Sequence, residues 1–319
     1  MAYVLQRLVQ AVPVLLGLLV FNFVLIHSAP GDPIYVLAGQ SGDAAYYAEM
    51  RARFGLDRPL PEQLGRYILN VVRGDFGYSF AYRQPVFQVI LSRVPATLLL
   101  SFTGLVVATL LGLWLGTLCA QHAETPLDHL ISAGTLIGYS MPAFWLGQVL
   151  LIVFAGGLGL FPVQGMTTAR VSYSGPRYVL DVLWHLVLPA MTLGLLQLAL
   201  VTRLTRTGLL EVLSEDYVRT ARAKGLTPRA VLYEHALRNA LLPVVTVVGG
   251  HIGTLLAGAV LTEIIFAWPG LGRLLYDATL SRDYPLLMAL FLVVSASVIV
   301  VNLLTDLAYT ALDPRVRYR

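Results

Sequence analysis

The sequence predicts an all-α integral membrane protein with six transmembrane helices and an extracytoplasmic segment between the first and second. Three observations predict it. Of 319 residues, 57% are hydrophobic and only 13% charged, where a soluble domain carries about a quarter charged residues. Between successive charges lie six uncharged windows, 8–31, 94–123, 129–169, 182–202, 239–262 and 284–305, and about 20 apolar residues suffice to cross a hydrocarbon core. Lysine and arginine are unevenly shared: the 203–238 loop carries seven and the tail after Asp306 three, whereas the 159–181 and 263–283 loops carry two each. With six spans that loop, the tail and the N-terminus bearing Arg7 fall on one side, which the positive-inside rule makes the cytoplasm. The seven arginines of 29–96 do not offset this, because long loops cross regardless of charge. The net charge of +4 then follows from topology, and no nucleic-acid partner is expected.

Residues 1–28 hold the first helix. A run from Leu8 to Ser28 behind one arginine also has the shape of a signal peptide, but no clean cleavage site follows beyond Ser28-Ala29, so it reads as a span. The cluster Ala29-Pro30-Gly31-Asp32-Pro33 opens the 29–96 segment with turn formers. Within it Ala44 to Phe54, and Pro61 to Val72 with Leu64, Tyr67, Ile68 and Val71 spaced three and four apart, predict two short amphipathic helices outside the bilayer. Taken alone this is a small solvated cap.

The transmembrane domain runs over 94–309, its second span at 97–120. The single Cys119 lies there, so neither an intrachain disulfide nor a multi-cysteine zinc site is available. His122 and His129, seven apart in the following link, would share a helix face, but a pair without a third ligand reads as incidental and no metal is expected. The third span is placed at 134–158, because Gly156, Gly157, Gly159, Pro162 and Gly165 break the second half of the long window. Pro142 inside it leaves a carbonyl unpaired one turn earlier and predicts a kink.

The fourth span, 182–202, is short and contains Pro189. The fifth, 241–262, carries Gly249, Gly250, Gly253 and Gly258, which suit close helix contact or a conformationally loose pathway wall, with His251 among them as a histidine at membrane depth. Glu263 is expected near its outer end, where ionisation costs little. The moderately polar 263–284 loop, with Trp268-Pro269-Gly270-Leu271-Gly272, is expected to fold back on the bundle. The sixth span is 285–309, and 310–319 is a cytoplasmic tail.

Between spans four and five lies the most informative stretch, a loop at 211–240. Gly225 and Pro228 end one short helix after Lys224 and start a second, so Glu215 to Asn239 reads as a basic helix-turn-helix finger. Topology alone would explain its charge. The phrase YVRTARAKGL…HALRNALLP, however, resembles the EAA loop of bacterial ABC importer permeases, in the branch that carries peptides and nickel. Arg219-Thr220-Ala221 stands in its first position, Gly225 is its glycine, His235 and Leu237 take the later apolar places, and Arg238 replaces a proline.

APGDP…FGLDRPLPEQ…RGDFGYS…QPV…RVPATL, Tyr139-Ser140-Met141-Pro142-Ala143-Phe144-Trp145, Leu160 to Gly165, and Leu312-Asp313-Pro314-Arg315-Val316-Arg317-Tyr318 resemble the same family in the same order, over nearly the whole chain. The resemblance implies the type I ABC importer transmembrane fold, with the finger as a coupling helix that docks in a groove of the ATPase. On that reading the coupling residues are Asp216, Tyr217, Arg219, Thr220, Ala221, Arg222, Lys224, Gly225, Leu226, His235, Leu237 and Arg238. Tyr139, Met141, Pro142, Gln197 and His251 are the candidates for the pathway wall.

The resemblance further implies a bacterial inner-membrane location, surrounding lipid, a second homologous permease, two ATPase subunits and an extracytoplasmic substrate-binding protein. ATP and Mg are used by the ATPases, and no cofactor by this chain. Its relatives carry dipeptides, longer peptides, glutathione or nickel chelates, and peptides are the expected cargo. The residues agree that the chain is no enzyme: its one lysine, Lys224, does not stand in GxxxxGK[ST], and neither GxSxG nor HExxH occurs. The alternative is a stand-alone secondary carrier or channel. A carrier would bury coupling carboxylates at mid-span and a channel would need a selectivity device, and the sequence offers neither.

Overall fold

The structure is a computed structural model that describes residues 2–28, 43–54, 57–252 and 259–312. Gly253, Gly258 and the turn cluster at 29–33 lie outside them. The chain divides into two compact units, one drawn from 1–96 and 270–319, the other from 97–269.

In the first unit α1 (Ala2–Ser28) packs along α13 (Tyr284–Leu312). The helices α2 (Ala44–Phe54) and α3 (Leu60–Val72) fall on the two amphipathic stretches of the 29–96 segment, and α3 lies against α1 with Tyr67 stacked 6.3 Å from Phe23. A hairpin of two-residue strands, β1 (Tyr78–Ser79) and β2 (Gln84–Pro85), follows. It is pinned by buried Asp283, which accepts from Ser79 Oγ at 2.6 Å, the Ala81 N–H at 3.2 Å and the Leu286 N–H at 3.3 Å at the start of α13. The solvated cap suggested by composition is therefore stitched to the last helix by a buried carboxylate. The outer loop contains α12 (Leu271–Leu280), whose Leu271, Leu274 and Ala278 are buried.

The long helix α4 (Val86–Gln121) begins in this unit and continues through the second. It starts eleven residues before the expected span at 97, since Arg93 marks where charge is tolerated and does not end a helix. The second unit then contains α5 (Pro126–Ser140), α6 (Ala143–Leu150, continuing as a π-helical stretch Leu151–Gly157) and α7 (Pro176–Leu213). It also holds α8 (Asp216–Ala223), the helical run α9 over 228–240, α10 (Leu242–Ile252) and α11 (Val260–Ile265).

Two expectations need correcting here. The third span is no single helix with a kink: α5 and α6 are bent by 108° at Met141–Pro142. Both residues are extended, with ψ of 137° and 136°, because the proline ring pushes its predecessor out of the helical region. The fourth helix is also not short. The 38-residue α7 runs well past both ends of 182–202, since Asp181 and Arg203 bound the uncharged window without breaking the helix.

α4 and α7 meet backbone to backbone. A Cβ placed on Gly104 would lie 2.8 Å from Leu193 Cβ, one on Gly112 2.6 Å from Val201 Cβ, and one on Gly116 2.5 Å from Thr205 Cβ. Gly194 answers from α7, where a Cβ would stand 2.9 Å from Val107 Cγ1. Of the fifth-span glycines, a Cβ on Gly250 would meet nothing within 4 Å in this chain.

Glu263 also departs from expectation. It is fully buried and accepts a 2.7 Å hydrogen bond from Thr97 Oγ1, so its carboxyl is met by a buried polar partner at a place where ionisation was expected to cost little. His122 and His129 do not share a helix face, because Thr125 N-caps a new helix between them. Among the described residues, three helices are long and apolar enough to cross a membrane, Val86–Gln121, Pro176–Leu213 and Tyr284–Val301. The bent pair qualifies jointly, and Val12–Leu25 and Leu242–His251 are shorter apolar helices.

Candidate coupling finger and pathway residues

The finger grows directly from the end of α7. After Ser214 caps that helix, Glu215 turns extended at φ −70° and ψ 149°, and α8 starts at Asp216. Lys224 closes α8, and Gly225 follows at φ 80° with open space around it. A residue with a Cβ is strained at that φ whatever the space, which accounts for glycine here. Thr227 then N-caps the second arm, its Oγ1 accepting from the Ala230 N–H at 3.3 Å, with Pro228 in the first turn. That arm is Pro228–Ala230, a π-helical stretch Val231–Ala236, and Leu237–Ala240.

One face of the finger is a core. Val218 and Ala221, three apart on α8, meet Val231 and the half-buried Val212 and Leu213 of α7. Leu232, Ala236 and Ala240 pack with Leu209 and with Ala120 at the end of α4. A Cβ on Gly208 would sit 2.9 Å from the Ala240 carbonyl oxygen, so α9 lies hard against α7. The two arms are tied by Tyr217, whose hydroxyl accepts from Asn239 Nδ2 at 2.7 Å and donates to the His235 carbonyl at 3.5 Å.

The other face is polar and open. Asp216, Tyr217, Arg219, Thr220, Arg222, Lys224, Gly225, Leu226 and Arg238 are exposed, and Arg219 pairs with Asp216 at 3.1 Å. His235 and Leu237 are half-buried, and Ala221 is buried. Ala221 thus packs in the core of the finger. Sequence reasoning passed over the supporting Val218, Val231, Leu232, Ala236 and Ala240 and the bridging Asn239, although the apolar spacing of Val218 and Ala221 was a usable signal.

Of the pathway candidates, Tyr139, Met141 and Pro142 come together at the 108° break, with Tyr139 and Pro142 exposed. A Cβ on Gly138 would stand 3.9 Å from the Leu195 carbonyl oxygen, so the break lies beside α7. Half-buried Gln197 is on α7 and half-buried His251 is next to the end of α10. Three different helices therefore carry the candidate positions. The loop after α6 is anchored by Asp181, which accepts from the Thr168 N–H and Oγ1 at 2.7 and 2.6 Å, and by the Gly165 N–H donating to the Phe266 carbonyl.

An apolar helical protein with a broken helix and a rigid polar finger has the build of a membrane transport subunit. Its fold agrees: the inward-facing MetNI methionine ABC transporter matches 71% of this chain and 97% of its own at TM-score 0.56 and 18% identity. An amino acid ABC transporter crystallised with histidines matches 72% and 95% at TM-score 0.50. The family described as binding-protein-dependent transport system inner membrane component matches 108–318, and its N-terminal companion 1–101. The chain belongs to this family.

Among curated relatives, the dipeptide permease DppB of Escherichia coli K12 is 42% identical, over 99% of both chains. The di/tripeptide permease DppB of Pseudomonas aeruginosa UCBPP-PA14 is 42% identical, over 100% of this chain and 99% of its own. The glutathione permease GsiC of Salmonella paratyphi A is 41% identical, over 99% of both. The chain is an ABC importer permease subunit of the inner membrane and not itself the ATPase.

Proposed function

We propose that this permease imports di- and oligopeptides, forming half of a pathway completed by a second, homologous permease, with both termini in the cytoplasm and six spans. The bent pair α5–α6 counts as the third span, α10 with α11 as the fifth, and the 29–96 segment faces outward to a substrate-binding protein. Two ATPase subunits, which hold ATP and Mg, dock on the 215–238 finger. The observation that carries the cargo is likeness to dipeptide and di/tripeptide permeases along the full length of both chains.

The mechanism is rigid-body transmission. Closure of the ATPases displaces the exposed face of the finger. Its buried face, packed on α7 and on the end of α4, turns that displacement into a tilt of the helices and switches access between inside and outside. Tyr139, Met141, Pro142, Gln197 and His251 line or border the route, at a break and on two neighbouring helices that a tilt rearranges.

Proteoliposomes holding this permease, its partner, the ATPases and the binding protein test the reading with a mixture of labelled dipeptides and with glutathione as competitor. ATP-dependent dipeptide uptake is expected, and none from this chain alone. Preferential glutathione uptake supports the second reading, which rests on the 41% identity to GsiC. Uptake by the single chain on an ion gradient contradicts both.

A further inference from the structure

Beneath the finger three helix ends come together, and one buried ion pair joins two of them. Arg206 lies on α7, two turns before that helix ends. Its Nε donates to Asp128 Oδ1 at 2.8 Å, its Nη2 donates to Asp128 Oδ2 at 2.6 Å, and Nη2 also reaches Glu124 Oε1 at 3.4 Å. Asp128, in the first turn of α5, is buried and accepts further from the Glu124 N–H at 3.0 Å and from Ser132 Oγ at 3.4 Å. Glu124 adopts φ 63°, a left-handed conformation unusual for a residue with a side chain, and in it directs its N–H to Asp128.

The placement of this pair matters more than its strength. A buried ion pair is often no more stabilising than apolar residues of the same volume, so stability alone does not account for it. What a two-point guanidinium–carboxylate contact supplies is fixed orientation. The buried residues of α5 are Asp128 and Thr135, and Thr135 Oγ1 donates within its own helix to the Ser132 carbonyl, so it is the Asp128 contact that sets the register of α5 on α7 at one point. On one side of it, less than two turns along α7, Val212 and Leu213 hold the buried face of the finger. On the other, α5 continues unbroken for about 18 Å to Ser140 and the 108° break.

We propose that Arg206 and Asp128 are positioning residues for transport: their contact is the clamp through which displacement of the finger passes to α5 and on to the break at Met141–Pro142. The proposal rests on the coupling role assigned to the finger above. Glu124 is the auxiliary partner that orients the Asp128 carboxylate.

The test uses the full importer in proteoliposomes, with Asp128→Asn, Arg206→Lys and the exchanged pair Asp128→Arg/Arg206→Asp. ATP hydrolysis and uptake of labelled dipeptides are measured together. Asp128→Asn is expected to keep the ATPases bound and hydrolysing while dipeptide uptake per ATP falls roughly tenfold. The exchanged pair is expected to regain most of that ratio, and Arg206→Lys, which keeps the charge and loses the fork, to fall between.

A second arm needs no cargo. Spin labels at exposed Leu136 on α5 and Glu211 on α7 report one distance in the nucleotide-free and vanadate-trapped complexes. That distance is expected to stay constant in the wild type and to shift on trapping in Asp128→Asn. An unchanged uptake ratio with a wild-type distance response overturns the clamp, as does loss of uptake and hydrolysis in equal proportion that the exchanged pair leaves unrelieved. Should Asp128→Asn fail to accumulate, Arg206→Lys decides by the same two readouts. A wild type whose distance stays constant on trapping but which takes up no dipeptide counts against peptide cargo, not against the clamp.

Discussion

Gly116 and Gly225 are glycines for opposite reasons. At Gly116 the neighbouring helix fills the space a side chain would need, with Thr205 Cβ 2.5 Å and the Thr202 carbonyl oxygen 2.6 Å from the ideal Cβ position. At Gly225 the space is open and the backbone itself, at φ 80°, excludes most side chains. The first glycine lets α4 and α7 approach as one body, and the second shapes an exposed turn at the tip of the finger. The seam is therefore limited by volume and the tip by conformation, and substitutions that separate volume from conformation affect the two regions differently.

The largest effect is expected at the seam. Gly116→Leu forces apart two helix backbones, and overpacking of this kind costs about 1–3 kcal/mol or more. Membrane-inserted, detergent-extractable protein, measured by fluorescence-detected gel filtration, is expected to fall sharply, and Gly116→Ala to lie between. Retention of Gly116→Leu at the wild-type level breaks the comparison.

Gly225→Val comes next. A left-handed conformation costs a residue with a Cβ about 1–2 kcal/mol, and a β-branched residue is stiffer still. The permease is expected to accumulate normally while copurifying ATPase falls roughly tenfold, since about 1.4 kcal/mol is a factor of ten in binding. Gly225→Asn, which tolerates positive φ, is expected to remain near wild type. Equal loss with Asn and Val would show that volume, not φ, governs this site too.

Tyr217→Phe removes the hydroxyl that bridges Asn239 and His235, worth about 0.5–1.5 kcal/mol. Faster amide exchange in 228–240 is expected, with uptake reduced less than by Gly225→Val. The smallest effect is expected from Arg222→Ala and Lys224→Ala on the exposed face. Rim charges act chiefly on association rate and its salt dependence, so the ATPase on-rate is expected to fall about threefold at low salt and to converge with wild type at high salt.

The finger was legible in the sequence because its signals are local. Glycine, proline and a cap are read from neighbouring residues, and Gly225 and Pro228 stand where those rules place a turn. The α2 and α3 helices were legible through apolar spacing. What sequence did not reveal depends on residues far apart in the chain. The lengths of α4 and α7 were obscured because a charge marks the edge of an uncharged window without ending a helix. Pro142 signalled a kink, yet nothing local fixes a bend of 108°. Glu263 finds Thr97, Ser79 finds Asp283 and Arg206 finds Asp128 only after folding. The glycine seam of α4 and α7 was not foreseen, since small residues announce close packing without naming what packs against them.

The coupling role of the finger is tested most directly at its tip. Leu226, beside Gly225, is an apolar side chain 40% exposed, and Val72 on α3 is 76% exposed. A photo-crosslinking residue at Leu226 in the assembled importer is expected to form an adduct with an ATPase subunit, and one at Val72 is expected to form none. Absence of an ATPase adduct at Leu226 in a complex that still transports, or an ATPase adduct at Val72, would contradict it.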